Sequence, residues 1–436
     1  MGTPVAFAML LQSAYSIIDL AFVGELGSAA VAGLSISFQA FFVVLALGRT
    51  LATTALAEIS QAYGGSRVDD ARGLATSFAI VALLVGLVAM VAAYYSGPFY
   101  VDAFTEDPEV YAQGIAYFEV TALTFLFQLV MFVFGDTLRA SGDFVTPVKF
   151  MVVSVLANVI LDPILIFGAG PIEAMGIAGA AWATVISQVL AGALYVWRLS
   201  RKREGRAIYW ARPVWATGFF RRILSVGVPA GVQFFLVSVM LGIVLQAVKS
   251  EGAAWTAAAG AGFRLFQQMF LPMIALGMAA AAIAGQNLGA GQSSRVRDNA
   301  NTALRWAFYY AVGAALVLHF GRGIFGSIFA ENPEELAVAE LYFEWTAVGL
   351  INFPFVYIPM FILQSARRSF QPMAAAVLRI LLLIALVSLL IPALSLPSEY
   401  VFGAVTITAT FEAVVSYMLM RRFLAKLPPD RASAPP

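Results

Sequence analysis

Long apolar runs divide this chain into twelve segments, each near the roughly 20 residues that a helix needs to cross a bilayer. In the first half these runs cover residues 4–24, 31–58, 73–96, 109–138, 146–168 and 175–198, and in the second half 221–249, 256–284, 299–320, 334–364, 371–394 and 400–423. The polar connections between them are short. The pattern predicts an all-α integral membrane protein with twelve transmembrane helices, numbered here as spans 1 to 12.

The grouping of the spans predicts two lobes and little else. We expect an N-terminal six-helix lobe over residues 1–198, a polar linker over 199–220 and a C-terminal six-helix lobe over 221–423. Residues 424–436 contain four prolines and are expected to form a disordered tail. The start at Met1 carries no basic region of a cleavable signal, and a longer native N-terminus remains open.

Composition points to lipid as the solvent of this chain. Hydrophobic residues make up 61% of the 436 positions and charged residues 12%, whereas soluble domains carry about 25% charged residues. With both termini on the cytoplasmic side, 21 of the 26 Lys and Arg residues fall in cytoplasmic loops and the tail. Basic residues resist translocation, so we expect a multi-pass protein of the cell membrane with both ends inside.

An internal duplication joins the two halves at one fixed sequence offset, the separation of Pro4 from Pro229. The same repeat offset relates Gln61 to Gln286, Gly64 to Gly289, Arg72 to Arg297, Pro108 to Pro333, and Pro147 to Pro372. Each copy holds six spans, an even number, so both enter the membrane with the same orientation. We therefore expect two pseudo-symmetric bundles related by an axis along the membrane normal, with a cleft between them, as in transporters built from parallel repeats.

Two aspartates lie where a charge is expensive. Asp19 falls in span 1 and Asp162 in span 5, and an ionised group at the centre of a membrane helix costs at least about 2.5–3.5 kcal/mol. Asn158 precedes Asp162 by four positions, so both share one helical face. Pro163 cannot donate the hydrogen bond to the carbonyl of residue 159. These oxygens suit Na+ or a proton, and hydrogen bonds to neighbouring helices are the alternative interpretation.

For other charged residues inside spans the sequence defines no role. Arg49, Arg264 and Arg379 could snorkel, pair with carboxylates or line the cleft, and Glu412 has no evident partner. Arg264 is the repeat equivalent of Gln39. Our three candidates for residues of the substrate cleft are Gln39, Arg264 and Gln233.

Several kinds of enzyme are disfavoured by what the sequence lacks. It has no cysteine and one histidine, His319, in an apolar run. It contains no Walker A, HExxH or GxSxG sequence. We expect that the protein is not an enzyme and that it uses no cofactor, with H+ or Na+ as its coupling ion. A membrane-embedded enzyme or receptor would show clustered catalytic groups or a soluble output domain, and neither is visible.

Motifs along the whole chain resemble the MATE (multidrug and toxic compound extrusion) family, in its prokaryotic branch. The motifs are Pro4, Asp19–Gly27, Ala57–Gly64, Leu138–Asp143 with Pro147, Asn158–Phe167, Gly179–Gln188, Gly227–Pro229 and Gly285–Gly289. The resemblance implies a cation-coupled antiporter of two six-helix lobes that exports amphipathic compounds by alternating access. A small amphipathic substrate and the lipid bilayer are the implied partners, with no nucleic acid and a monomeric state.

The resemblance also implies which residues bind the coupling ion. Asp19, Asn158 and Asp162 carry over directly, and the Ala180 carbonyl and Thr184 hydroxyl would complete an oxygen cage for H+ or Na+. Asp19, Asn158, Asp162 and Thr184 would be the side-chain ligands of Na+. Pro4 matches the proline at which span 1 of some relatives bends, and Pro163 is our second conformational candidate.

The second lobe departs from the family pattern. Some relatives carry acidic residues in spans 7 and 10, where this chain has none beyond Glu344 at the start of span 10. A cation site in that lobe and a purely cationic substrate are therefore doubtful. The alternative within the superfamily is a flippase for a lipid-linked saccharide or another lipid, which would require more arginines along the cleft.

Overall fold

A computed structural model describes residues 22–201, 207–329 and 332–431. The first series of helices is α1 Ser28–Gly64, α2 Val68–Asp102, α3 Pro108–Ala140, α4 Val145–Phe167, α5 Ile177–Ser200 and α6 Phe219–Arg222, which continues through a π-helical turn, Ile223–Gly227, into α7 Val228–Val248. The second series is α8 Ala253–Ala290, α9 Ser293–Phe329, α10 Pro333–Leu350, α11 Phe353–Ser365, α12 Phe370–Ala385, a π-helical turn Leu386–Leu390, α13 Ile391–Ala393 and α14 Tyr400–Ala425.

The described helices account for eleven membrane spans. Ten are long and apolar enough to cross a bilayer by themselves, and α10 with α11 forms an eleventh that is bent by 47°. The bend coincides with Pro354 at the start of α11, because proline cannot continue the hydrogen-bond ladder of α10. These helices correspond to predicted spans 2 to 12, whereas span 1 lies almost entirely outside the described residues.

One face of α2 shows how the helices meet their solvent. Leu83, Leu84, Leu87, Val88 and Val91 are all exposed. Their spacing of three and four positions places them on a single helical face. A soluble protein rarely leaves so much contiguous apolar surface uncovered. This face is therefore a lipid-facing surface, as the composition predicts.

The described residues form two compact units, the first ending at Gly231 and the second beginning at Val232. Their helices pack in the same pattern: α1 packs against α2 and α3 in the first, and α8 packs against α9, α10 and α11 in the second. Even the capping residues recur, because Asp107 caps α3 ahead of Pro108 and Asn332 caps α10 ahead of Pro333. The duplication seen in the sequence is thus reproduced in local structure.

The linker, residues 207–218, is fastened to the first unit along α2. Arg72 Nε donates to the Ala207 carbonyl at 3.0 Å, and Ser77 Oγ donates to the Val214 carbonyl at 2.8 Å. The Val214 amide donates in turn to the Gly73 carbonyl at 3.2 Å. Backbone and side-chain bonds together hold this polar segment in one path.

The start of α7 also belongs to the first unit, which ends at Gly231, whereas the sequence predicts that the second lobe begins at residue 221. Gly227 and Gly231 explain this difference. A Cβ atom at Gly227 would lie 3.0 Å from the carbonyl carbon of Thr50, and one at Gly231 would lie 3.4 Å from that of Ala46. Glycine alone lets α7 approach the α1 backbone this closely.

The tail differs from the disordered segment that we expected over 424–436. Helix α14 continues to Ala425, and Arg297 donates to the carbonyls of Leu424 and Leu427 at 3.0 Å each. The Asp430 carboxylate accepts from the Ser294 amide at 2.8 Å and from the Ser294 hydroxyl. These hydrogen bonds hold the tail as far as Arg431. Residues 432–436 lie outside the described part of the chain.

Acid should release this tail. The Ser294 hydroxyl, and then the Ser294 amide, hold the pKa of Asp430 below its ordinary value. A carboxylate with a lowered folded-state pKa stabilises the docked tail above its ordinary pKa, and that contribution is lost as the pH falls through the lowered value. We expect the Arg431 amide, which donates to the Gly291 carbonyl, to be protected from hydrogen exchange at neutral pH and to lose that protection in acid, with each rate compared with the intrinsic exchange rate at the same pH. An Asp430→Asn variant should exchange faster at neutral pH; equal rates in both proteins would contradict this account.

Candidate functional site

Asn158 and Asp162 form a buried polar pair on α4. Asp162 is 0% exposed and Asn158 is 1% exposed. With its amide oriented to satisfy both neighbours, Asn158 donates from Nδ2 to Asp162 Oδ2 at 2.9 Å and accepts from the Thr184 amide at 3.1 Å. The carboxylate is therefore held by the residue one turn before it, and α5 lies against the same pair.

Helix α5 brings two more oxygen atoms to this place. The Thr184 hydroxyl donates to the Ala180 carbonyl at 3.2 Å, so both oxygens lie on the turn of α5 that faces Asn158. Together the site offers a carboxylate, an amide oxygen, a hydroxyl and a main-chain carbonyl. Such oxygen ligands bind small hard cations, and a buried carboxylate also binds a proton.

The structure therefore brings together Asn158, Asp162, Ala180 and Thr184, four of the five predicted ion-site residues. The fifth, Asp19, and the predicted hinge residue Pro4 lie outside the described residues. Among the residues that the structure does describe, no three Asp, Glu, His or Cys side chains cluster closely enough to hold a metal ion. A cation here would depend on neutral oxygens as well as on Asp162.

Pro163, the second conformational candidate, lies inside α4 and does not end it, because the helix continues to Phe167. Two carbonyls of the following turn are bonded to the α4–α5 loop: Leu165 accepts from the Met175 amide at 2.9 Å and Ile166 accepts from the Gly176 amide at 3.1 Å. The end of α4 and the start of α5 are thus connected directly beside Asp162. Movement of one should be transmitted to the other.

Gly179 fixes the spacing of the two helices that form the site. A Cβ atom there would lie 2.5 Å from the carbonyl carbon of Leu165 and 2.8 Å from the Ile166 nitrogen. We expect Gly179→Ala to force α5 away from α4 and to destabilise the protein by about 1–3 kcal/mol, as overpacking does. Thermal unfolding in detergent measures the change. Gly192→Ala, on the same helix with open space around it, is the control, and equal melting temperatures would refute the expectation.

The three cleft candidates receive little support from the described side chains. Gln233 is buried, and its Nε2 donates to the Ser369 carbonyl at 3.5 Å within the second unit. Gln39 lies in α1 and Arg264 in α8, but their side chains are outside the described part of the structure. Their contact with substrate stays a prediction.

A buried charge cluster in the first unit was missed by the sequence analysis. Asp136 is fully buried between two arginines, with Arg139 Nη1 at 2.7 Å and Arg49 Nη1 at 3.4 Å from its carboxylate oxygens. The spacing of three positions between Asp136 and Arg139 was a visible sign of an ion pair on one helical face. Arg49 thus has an acidic partner inside the lobe.

The second unit contains an ion pair of its own. Arg379 Nη1 lies 3.0 Å from Glu412 Oε2, and Arg379 Nη2 lies 3.1 Å from the Met240 sulfur. Both charged residues are buried. Glu412, for which the sequence offered no partner, is therefore paired with Arg379 across α12 and α14. Arg49 and Arg379, whose roles the sequence left open, are each paired with a carboxylate.

The two units differ at the positions of the candidate ion site. Val387 and Leu383 are the repeat equivalents of Asp162 and Asn158, so the second unit has no carboxylate there. A similar bond occurs one position out of the repeat register, where Thr408 Oγ1 donates to the Ala404 carbonyl at 2.9 Å as Thr184 does to Ala180. The scaffold is duplicated, but of Asp162 and its repeat equivalent Val387 the first alone is ionisable.

Comparison with known proteins agrees with this architecture. The MatE family model matches residues 4–164 and again residues 229–390, two segments whose starts are separated by the repeat offset. Probable multidrug resistance protein YpnP of Bacillus subtilis (strain 168) is 29% identical over 388 residues, covering 87% of this chain and 82% of that protein. The FAD transporter of Shewanella oneidensis is 24% identical over 438 residues, covering 97% of this chain and 93% of that protein.

A solved structure extends the likeness to the complete fold. The chain matches a MOP superfamily transporter from Pyrococcus furiosus Vc1 with a TM-score of 0.90, at 19% identity and over 98% of this chain and 96% of that one. The likeness confirms the all-α membrane fold of twelve helices in two lobes. Together with the double match to the family model, it shows that the chain is a multi-pass membrane transporter of the MATE family and not an enzyme.

Proposed function

We propose that the protein is a secondary active antiporter that exports amphipathic organic compounds in exchange for H+ or Na+. One observation supports it above the others: a fully buried carboxylate, Asp162, is bonded to Asn158 and adjoins the Thr184 and Ala180 oxygens. A membrane protein rarely keeps such a group without a functional reason. Relatives described as multidrug resistance proteins support the substrate class.

The mechanism that we propose is reciprocal linkage between ion and substrate. Ion loading at Asp162, with Asp19 as the second carboxylate, favours one state of the first lobe, and substrate binding favours the other. Each ion that enters down a potential of 100 mV provides about 2.3 kcal/mol, or roughly fifty-fold in substrate gradient. The cleft opens to the two sides of the membrane in turn, because the first lobe binds either the ion or the substrate at one time.

The decisive experiment uses purified protein in vesicles on which pH and Na+ gradients are imposed separately. Efflux of a fluorescent amphipathic dye should follow one of the two gradients and stop when that gradient is collapsed. Dye movement that ignores both gradients would exclude an ion-coupled antiporter. The gradient that drives efflux in these vesicles identifies the coupling ion. We also propose that the protein is a monomer of the cell membrane with both termini cytoplasmic. Labelling of either terminus from outside intact cells would test that orientation.

A second candidate substrate comes from one relative. The FAD transporter of Shewanella oneidensis covers nearly the whole chain, so export of a flavin dinucleotide is worth testing in the same vesicles. The lipid-linked saccharide flippase, which would need cleft arginines for its diphosphate, is less well supported, because Arg49 and Arg379 are both paired with carboxylates.

A further inference from the structure

The second unit contains a cavity of about 640 Å3 between α7, the end of α12 with its π-helical turn, and the start of α14. Its polar lining residues are Gln246, Ser388 and Ser398, and its apolar lining includes Ile243, Ile384 and Val387. None of the described residues that line it is charged. The volume lies within the range of about 300–1,000 Å3 typical of sites for drug-sized ligands.

The cavity lies at the repeat equivalent of the candidate ion site. Val387, in its wall, occupies the position in the second copy that Asp162 occupies in the first. The π-helical turn Leu386–Leu390 surrounds Val387, and such turns inside α-helices often accompany functional sites. A duplicated scaffold has therefore kept an open space at this position in the second lobe while replacing its carboxylate with an apolar side chain.

Two exposed polar side chains of membrane-spanning helices border the cavity. Gln246 and Ser388 are both exposed, although each belongs to a helix long and apolar enough to cross a bilayer. An amide or hydroxyl that faces hydrocarbon without a partner is unfavourable by several kcal/mol in apolar solvent. Both groups instead border this cavity, where a bound molecule can hydrogen-bond to them.

We propose that this cavity binds an uncharged amphipathic molecule. Its apolar body would pack on Ile243, Ile384 and Val387, and its hydrogen-bonding group would meet Gln246 and Ser388. Among the described lining residues none is ionisable, and the buried charges of α12 and α14, Arg379 and Glu412, neutralise each other. The binding site does not depend on ion coupling, because Asp162 belongs to the other lobe. The occupant is either an exported neutral compound or the neutral head of a membrane lipid.

Gly242 offers a direct test, because no heavy atom lies within 4 Å of a Cβ atom at that position and it lines the cavity. A side chain can therefore be added at this position, and Gly242→Trp is expected to occupy part of the cavity. We expect it to weaken binding of the neutral fluorophore N-phenyl-1-naphthylamine, titrated into purified protein, by at least about ten-fold. Gly313→Trp, on α9 with equally open surroundings, is the matched control. Equal affinities in the two variants would overturn the proposal.

A second variant tests the recognition of charge. Ser388→Asp places a carboxylate in the cavity wall, so the neutral fluorophore should bind more weakly and the cation ethidium more tightly. No change in either affinity would also overturn the proposal. Asp162→Asn should leave neutral-probe binding intact even if it abolishes transport, which separates this site from the proposed function. Lipid that copurifies with the wild type and is lost from Gly242→Trp would identify a lipid as occupant; displacement of the probe by exported compounds alone would identify those compounds.

Discussion

Asp162→Asn is expected to reduce ion-driven efflux to the level of protein-free vesicles while leaving the protein folded. The substitution keeps the size of the side chain and an oxygen that can accept from Asn158 Nδ2, now 2.9 Å from the carboxylate. It removes the group that can be charged, and with it the binding of a proton or the strongest ligand for Na+. Transport under an imposed gradient is the measurement, and thermal unfolding checks the fold.

Asp70→Asn is the matched control for that experiment. Asp70 is the same residue type, but its side chain is exposed and pairs with Arg67, which is exposed as well. Exposed pairs contribute little to stability, and we expect unaltered transport. If Asp162→Asn exported substrate with the ion dependence of the wild type, the carboxylate would not be the coupling group, and the buried pair on α4 would be structural.

Arg379→Met should strongly destabilise the second lobe, by roughly 3–5 kcal/mol, because it leaves the Glu412 carboxylate buried without its cation. Glu412→Leu should have a similar effect through the stranded guanidinium. The double variant should recover much of the loss, since two apolar side chains of similar volume fill the same space without a desolvated charge. Melting temperatures of the four proteins in detergent give the coupling between the two residues.

Two outcomes of that cycle would contradict this view of the pair. Additive losses would mean that Arg379 and Glu412 do not stabilise each other. A double variant that is fully stable but inactive in transport would instead give the pair a functional role. In variants that carry Arg379→Met, the Met240 sulfur, which lies beside Arg379 in the wild type, could pack against the new methionine side chain.

Spans and duplication were readable from the sequence because both leave periodic, local signals. Apolar runs of the required length defined the eleven spans that the structure describes, and the repeat offset related Pro108 to Pro333, the first residues of two helices that Asp107 and Asn332 cap in the same way. Asn158 and Asp162 were recognisable as neighbours because a spacing of four on a helix fixes their relation. Their proximity to Thr184 needed the family resemblance as well.

Long-range pairs were not readable in the same way. Nothing local in the sequence connects Arg379 with Glu412, which are 33 residues apart, or Arg49 with Asp136, which are 87 apart. The tail was misjudged because prolines suggested disorder, whereas Asp430 and the carbonyls of Leu424 and Leu427 find partners at the start of α9. The lobe boundary depended on close helix contacts at Gly227 and Gly231, which composition does not reveal.

That boundary has a consequence for following the protein at work. One uninterrupted helix, α7, contains both Gly231, the last residue of the first unit, and Val232, at which the second unit begins. Because the chain has no cysteine, a single cysteine introduced on α7 can carry a thiol-reactive spin label without background from other thiols. Such a label would report whether the helix that both units share changes during turnover.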